Sequence, residues 1–241
     1  MIFPPKCVGC GEKFNIFAND YEEGTVYCPN CRSEWEKTKL MPCPSCKRAS
    51  IDCDCVPPTL KEISAISLIK FGKCYNSDRL IYALKRRNNI AIFDFAADEL
   101  SRRLKTYIRE FKLDTNELVL THVPRKPSSV STYGFDHAQR LAKGVSDRLG
   151  IELVYALKRK RGGKDQKKLT VKERIINSKE RFVFVDESES SVKDQIVILV
   201  DDVITSGATA LACIEKLMEH GPKSVIVLSI AKSNVKTKAK K

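Results

Sequence analysis

Asp201 and Asp202 stand side by side directly after the apolar run Ile196-Val-Ile-Leu-Val200, and the segment Ile204-Thr-Ser-Gly-Ala-Thr209 follows them. Carboxylates do not hold phosphate, but they accept hydrogen bonds from sugar hydroxyls and help hold a divalent cation. The next segment has the opposite character. Thr205, Ser206 and Thr209 bring hydroxyls, Gly207 permits close backbone approach, and a helix beginning at Ala208 turns free N–H groups and its dipole toward an anion. One end of the motif suits a diol and the other a phosphate, which together describe a ribose 5-phosphate. A Walker-type loop would need a Lys after its glycine, and none follows Gly207. In a response-regulator receiver the acid pair lies early, whereas only 39 residues follow Asp202 here. A buried strand ending in a polar turn would not require two adjacent acids, and burying such a pair without a ligand is costly.

Two further groups carry chemistry. Thr121-His-Val-Pro-Arg-Lys126 follows an apolar stretch, so Arg125 and Lys126 fall on the same edge as the acids. An Arg fork and a Lys point charge suit a diphosphate, although ordinary exposed bases after a strand would read the same way. Residues 1–58 hold eight of the ten cysteines. Cys7-x-x-Cys10 and Cys28-x-x-Cys31, 17 residues apart, have the spacing of a structural zinc site. Cys43-x-x-Cys46 with Cys53-x-Cys55 supplies a second set of four. Sequential pairing gives two zincs, while a cross-braced pairing or one zinc with spare thiols stays open. Cys74 and Cys213 read as core residues. His122, His137 and His220 show no ligand spacing and are given no metal.

The elements that position these groups alternate. Strands are expected near 65–71, 117–123, 152–157, 182–185, 196–200 and 224–231. Helices are expected at 78–87, 90–107, 135–149, near 170–177, and at 208–220. That order predicts an α/β fold, a mainly parallel sheet with helices on both faces, and such sheets bind ligands at the carboxyl ends of their strands. The Cys-rich segment 1–58 is expected as a small separate module closed by Pro57-Pro58. The α/β domain then runs over 59–231, with a basic tail at 232–241. No apolar run spans a membrane and no signal-peptide pattern is present, so a cytoplasmic location, where thiols stay reduced, is expected. The net charge of +13 is uneven: residues 1–58 carry −1, Lys158–Arg174 carries +7 and the tail +5. Anionic partners follow, with a solvated loop and frayed tail as the plainer account.

The stretch Val197–Thr209 resembles the signature for 5-phosphoribosyl 1-pyrophosphate (PRPP) in type I phosphoribosyltransferases. With its Cys-rich start, the whole chain resembles the ComF family of bacterial competence proteins. The likeness includes Gly134-Phe-Asp-His-Ala138, where that family usually has Gly-Phe-Asn-Gln-Ala, and the set Arg159, Gln166, Leu169, Arg174, Asn177 and Phe182. The chain departs from the pattern at Asp136 and His137, in Ser-Thr-Tyr before Gly134, and in the final Cys-x-Cys pair. The resemblance implies a phosphoribosyltransferase-like domain that binds PRPP with magnesium, beside a zinc module. Asp201 and Asp202 would hold the ribose hydroxyls and residues 204–209 the 5-phosphate. Arg125 and Lys126 would hold the leaving diphosphate, and the 158–168 loop, with Arg159, would act as a lid. It also implies a role in DNA uptake beside a competence helicase (ComFA-like). A non-catalytic adaptor for single-stranded DNA is the alternative, although no clear aromatic stacking platform stands out in the sequence.

Overall fold

A computed structural model describes residues 5–15, 22–160 and 181–233. The expected helix near 170–177, residues Gln166, Leu169, Arg174 and Asn177, most of the basic loop, and the tail beyond Ser233 lie outside the described residues.

The sheet is built from β1 (Ser64–Lys70), β2 (Leu118–His122), β3 (Glu152–Leu153), β6 (Ile196–Ile204) and β7 (Ser224–Lys232). Its spatial order is β1-β7-β6-β2-β3, and every neighbouring pair is parallel. The near-continuous apolar character of β6 and β7 reflects burial on both faces. On one face Ile198 and Val200 join the core formed with α2 (Tyr75–Arg86), α3 (Ile90–Glu110) and α5 (His137–Leu149). On the other, Val197 and Leu199 join the core under the helix Ala208–Met218, termed α7 after the short α4 (Pro127–Tyr133) and α6 (Glu189–Val192). The expected parallel α/β sheet covered on both faces is the fold observed. Among the described residues, no helix is long and apolar enough to cross a membrane.

Several boundaries differ from expectation. The strand expected over 152–157 is broken. After Val154 donates to the Leu120 carbonyl, the chain leaves the sheet, and β4 (Leu157–Arg159) pairs antiparallel with β5 (Phe182–Phe184) as a separate ribbon. β6 runs on to Ile204, so the acid pair lies within the strand rather than after it. The helix expected from 135 begins at His137, because the Asp136 carboxylate caps it by accepting from the N–H groups of Ala138 and Gln139. Lys232, expected to open the tail, is the last residue of β7 and is fully buried.

α1 (Pro29–Leu40) has no counterpart among the expected elements. Its buried residues are only Cys31, Trp35 and Thr38, too sparse a stripe to show as a period. Trp35 is nonetheless 0% exposed and belongs to the same core cluster as α2 and α3. Its ring stacks near Tyr27 and meets Phe95 edge-on, and its indole N–H donates to Glu99 Oε2 at 2.9 Å. Glu99, 3% exposed, also pairs with Lys39 at 2.8 Å and Arg32 at 3.2 Å. Burial would raise its pKa, but the hydrogen bonds of Lys39 and Trp35 and the charges of Lys39 and Arg32 bring it below the ordinary glutamate range. The first cysteine segment is thereby fastened to α3 by apolar contact and by charge.

Candidate functional site

Asp201 and Asp202 reach a cleft of about 420 Å³ at the carboxyl end of the sheet. Asp202 is buried, and its Oδ2 lies 3.0 Å from Lys85 Nζ on α2 and 3.2 Å from His137 Nε2 at the start of α5. Its Oδ1 accepts from the N–H of Val203 at 2.7 Å, while Asp201 Oδ1 accepts from the N–H of Asp202 at 2.8 Å. The two acids are shifted in opposite directions. Withdrawal from water, and then the Asp202 charge, push Asp201 well above the usual carboxylate range. Burial acts on Asp202 in the same sense, but the hydrogen bond and charge of His137 and the nearby Lys85 outweigh it and bring Asp202 down to about 2. His137, Asp201 and Asp202 each offer a ligand atom within 4.8 Å of the others, a group that can hold a metal ion.

The opposite wall is Val123-Pro-Arg125. The Arg125 N–H donates to Asp136 Oδ2 at 2.7 Å, so one carboxylate both caps α5 and fixes this loop. The Arg125 guanidinium lies 4.7 Å above the Tyr133 ring and donates to the Lys85 carbonyl at 3.1 Å. Its buried Nη1 has no hydrogen-bond partner among the described residues. Arg159 enters from β4, its guanidinium 5.3 Å above Phe182.

Of the residues singled out in the sequence, Asp201, Asp202, Arg125, Arg159, Thr205 and Thr209 line the cleft. Ile204, Ser206, Gly207, Ala208 and Lys126 are not part of that lining; Ile204 is buried, and Lys126 is the residue before α4. Lys85 lines it without having been singled out, and His137, given no metal on its spacing, also lines it and stands in the group able to hold one. Lys85 sits in the last turn of an ordinary amphipathic helix, and histidine spacing alone gives His137 no role. The signal for His137 was its place one residue after the α5 cap, facing the sheet's ligand edge.

Gly207, at φ +77°, begins α7 without a side-chain cap of its own; the Ala208 N–H donates to Ser206 Oγ at 3.4 Å, and the N–H groups that follow it in the first turn face the anion end of the motif. A Cβ at Gly207 would lie 2.5 Å from Thr59 Oγ1 and 2.9 Å from Leu60 Cγ. The glycine is therefore required by the segment packed behind the loop, a different reason from the close ligand approach expected from sequence.

The eight N-terminal cysteines form two groups in chain order, Cys7, Cys10, Cys28, Cys31 and Cys43, Cys46, Cys53, Cys55, each with sulfurs within 4.8 Å. All are free thiols. Cys10 and Cys28 Sγ are 3.9 Å apart, against about 3.8 Å for two sulfurs on a tetrahedral zinc at its usual bond length. Cys7 and Cys43 each open a tight turn, with Gly11 at φ +84° and Lys47 at φ +63° reversing the chain. Burial pushes both thiols up, but turn N–H groups aimed at the sulfurs reverse this, to about 7 for Cys7 and about 6 for Cys43. Burial and the neighbouring thiols push Cys10, Cys31 and Cys55 up instead, so it is the close grouping of four sulfurs in each set that is fit to hold zinc.

Comparison with known proteins extends these observations. Residues 136–241 match the family model of the phosphoribosyl transferase domain. No curated protein matches the chain. Among solved structures, the chain is similar to phosphoribosylpyrophosphate synthetase from Mycobacterium smegmatis, at 20% identity and TM-score 0.36 over 55% of this chain and 33% of that one. It is also similar to an allosteric regulatory enzyme of purine biosynthesis, at 22% identity and TM-score 0.40 over 64% and 30%. A third is HGPRT-ase from Leishmania tarentolae in complex with GMP, at 16% identity and TM-score 0.33 over 61% and 72%. The chain spans a third or less of the length of the first two. The conclusion is one of fold: the chain carries a phosphoribosyltransferase-type α/β domain, and the family match runs over residues 136–241.

Proposed function

We propose that the cleft binds PRPP with magnesium and serves displacement of pyrophosphate from the sugar carbon C1 by an incoming nucleophile, whose new bond to C1 replaces the C1–O bond. The observation that carries this reading is the placement of the Asp201–Asp202 pair between an uncapped helix start and Arg125. The acids accept the ribose hydroxyls and the α7 start takes the 5-phosphate. Arg125, with Lys126 beside it, takes the diphosphate as the C1–O bond breaks and the electron pair leaves with it. The metal accompanies the substrate, and Asp201, Asp202 and His137, whose ligand atoms lie within 4.8 Å of one another, are the groups able to meet it. Arg159 approaches from the β4–β5 ribbon as a further cation for the phosphates. Zinc at the two cysteine groups is structural, since four thiolates leave no open position, and reduced thiols suit a cytoplasmic setting. Titration calorimetry tests the assignment: PRPP with magnesium should bind, and ribose 5-phosphate should bind more weakly because it lacks the group read by Arg125. Equal binding of the two, or none of either, would sink it.

A second reading, contact with single-stranded DNA in uptake beside a competence helicase, gains support from a surface the sequence did not reveal. Tyr75, Arg79, Tyr82, Arg86 and Arg87 of α2 and its end line a cleft of about 270 Å³. Tyr75 is exposed, and Arg79 lies 5.6 Å from its ring. Exposed rings interleaved with bases suit nucleobase stacking and phosphate contact. Tyr75→Ala with Tyr82→Ala should weaken single-stranded DNA binding by about 1–3 kcal/mol for each stacked base, with little change in its salt dependence. Undiminished binding would remove this face from consideration.

A further inference from the structure

Lys70 and Lys232 end adjacent parallel strands as direct register neighbours on β1 and β7. Both are essentially without solvent exposure, 1% and 0%. Lys70 Nζ has no hydrogen-bond partner among the described residues, and Lys232 Nζ donates to the Cys53 carbonyl. Two buried ammonium groups side by side are strongly unfavourable unless a negative charge lies close. The charge beside them is the second cysteine group: burial and Lys70 push Lys232 down, Cys53, Cys55 and Cys43 act on it in the opposite sense, and Lys70 acts on Cys43. Four thiolates on a zinc dication leave a net charge of about −2, which two lysines balance.

The chain running on from Cys55 reaches the phosphate loop within a few residues. Val56 packs into the core under α7, and Pro58–Leu60 forms a single 3-10 turn with Leu60 fully buried. Thr59 Oγ1 donates to the Ser206 carbonyl at 2.5 Å, and Thr59 and Leu60 fill the space behind Gly207. On the same edge the Phe71 N–H donates to the Lys232 carbonyl at 3.0 Å, and Phe71 lines the ligand cleft.

We propose that the second cysteine group, metal-loaded and charge-balanced by Lys70 and Lys232, holds the 53–60 segment on the ligand edge, with Thr59 as positioning residue for the 5-phosphate loop. The inference rests on the PRPP reading of that loop. Thr59 touches no substrate in this scheme; it sets the peptide at Ser206–Gly207, from which the α7 N–H groups start. Metal occupancy then governs affinity for the 5-phosphate end of the ligand while leaving the diphosphate end alone.

The test uses the full chain and three measurements: zinc content, calorimetry with ribose 5-phosphate, and calorimetry with pyrophosphate and magnesium. Wild type should hold two zincs. Thr59→Val should keep both, bind ribose 5-phosphate about tenfold more weakly, as for loss of one well-placed hydrogen bond, and bind pyrophosphate unchanged. Thr59→Ser should restore the affinity. Lys70→Met with Lys232→Met should hold one zinc and show the same selective loss; if that double variant does not fold, the two Thr59 variants decide. Thr59→Val binding ribose 5-phosphate like wild type overturns the inference, as does a folded double lysine variant that keeps two zincs. A wild type that binds neither ribose 5-phosphate nor pyrophosphate overturns the site assignment itself, and this inference with it.

Discussion

Replacing Asp201 and Asp202 together by asparagine should abolish most of the rise in melting temperature that PRPP with magnesium produces in the wild type. A ligand that binds only the folded state at a hundred times its Kd stabilises by about 2.7 kcal/mol. A hydrogen bond to a charged acceptor contributes about 1.5–3 kcal/mol, so weakening the acceptors that meet the ribose hydroxyls consumes most of that gain. Asparagine is nearly isosteric and still accepts from Lys85 and His137, so the change falls on the ligand rather than on the cleft wall. The ligand-free protein provides an internal control with the opposite sign. Burial raises the Asp201 pKa, so its contribution to stability is greatest in acid. That contribution falls as pH rises from the unfolded value of about 3.9 toward the folded one. Asp201→Asn alone should therefore leave stability at pH 7 unchanged or higher and flatten that part of the pH profile. Differential scanning measurements with and without PRPP across pH decide the matter: an undiminished ligand shift in the double variant would mean that the acids do not touch the ligand.

Trp35→Ala should be severely destabilising, by about 3–5 kcal/mol. The side chain is fully enclosed among Tyr27, Phe95 and α3 and satisfies one oxygen of buried Glu99. Truncation leaves a cavity and withdraws a donor from a carboxylate that already bears a burial cost. Urea unfolding followed by circular dichroism is the suitable measurement, because Trp35 is the only tryptophan and its fluorescence disappears with it. A loss below about 1 kcal/mol, the level typical of surface changes, would show that the cysteine segment folds without support from α3.

Chemistry was more legible than packing. The apolar run, adjacent acids and Ser-Gly turn placed a strand and a helix start, because each is a local pattern with a local cause. The cysteine spacings allowed the sequential grouping found in the structure but left a cross-braced one equally open, because spacing alone does not say which pairs meet. Lys85 was invisible because its partner, Asp202, is remote in sequence and meets it only when α2 packs on the sheet. Trp35 reads in sequence as a lone aromatic in a polar segment; its value depends on Glu99, 64 residues away. Strand β3 was overextended because Val154-Tyr-Ala-Leu157 has strand composition, and composition does not say which sheet a strand joins.

The position of β7 has a consequence for how the chain reaches this state. The last strand lies between β1 and β6, and Ser67 Oγ meets Ser229 Oγ at 2.8 Å across 162 residues. As the chain leaves the ribosome, β2 and β6 can pair, but β1 has no neighbour until residues 224–232 emerge. A nascent chain therefore carries an apolar strand with open edges through most of its synthesis, together with Lys70, whose buried setting does not yet exist. Closing that long loop is slow, and the exposed edge invites pairing with other chains in the interval. Among the described strands, the one furthest along the chain is the one that joins β1 to the rest of the sheet.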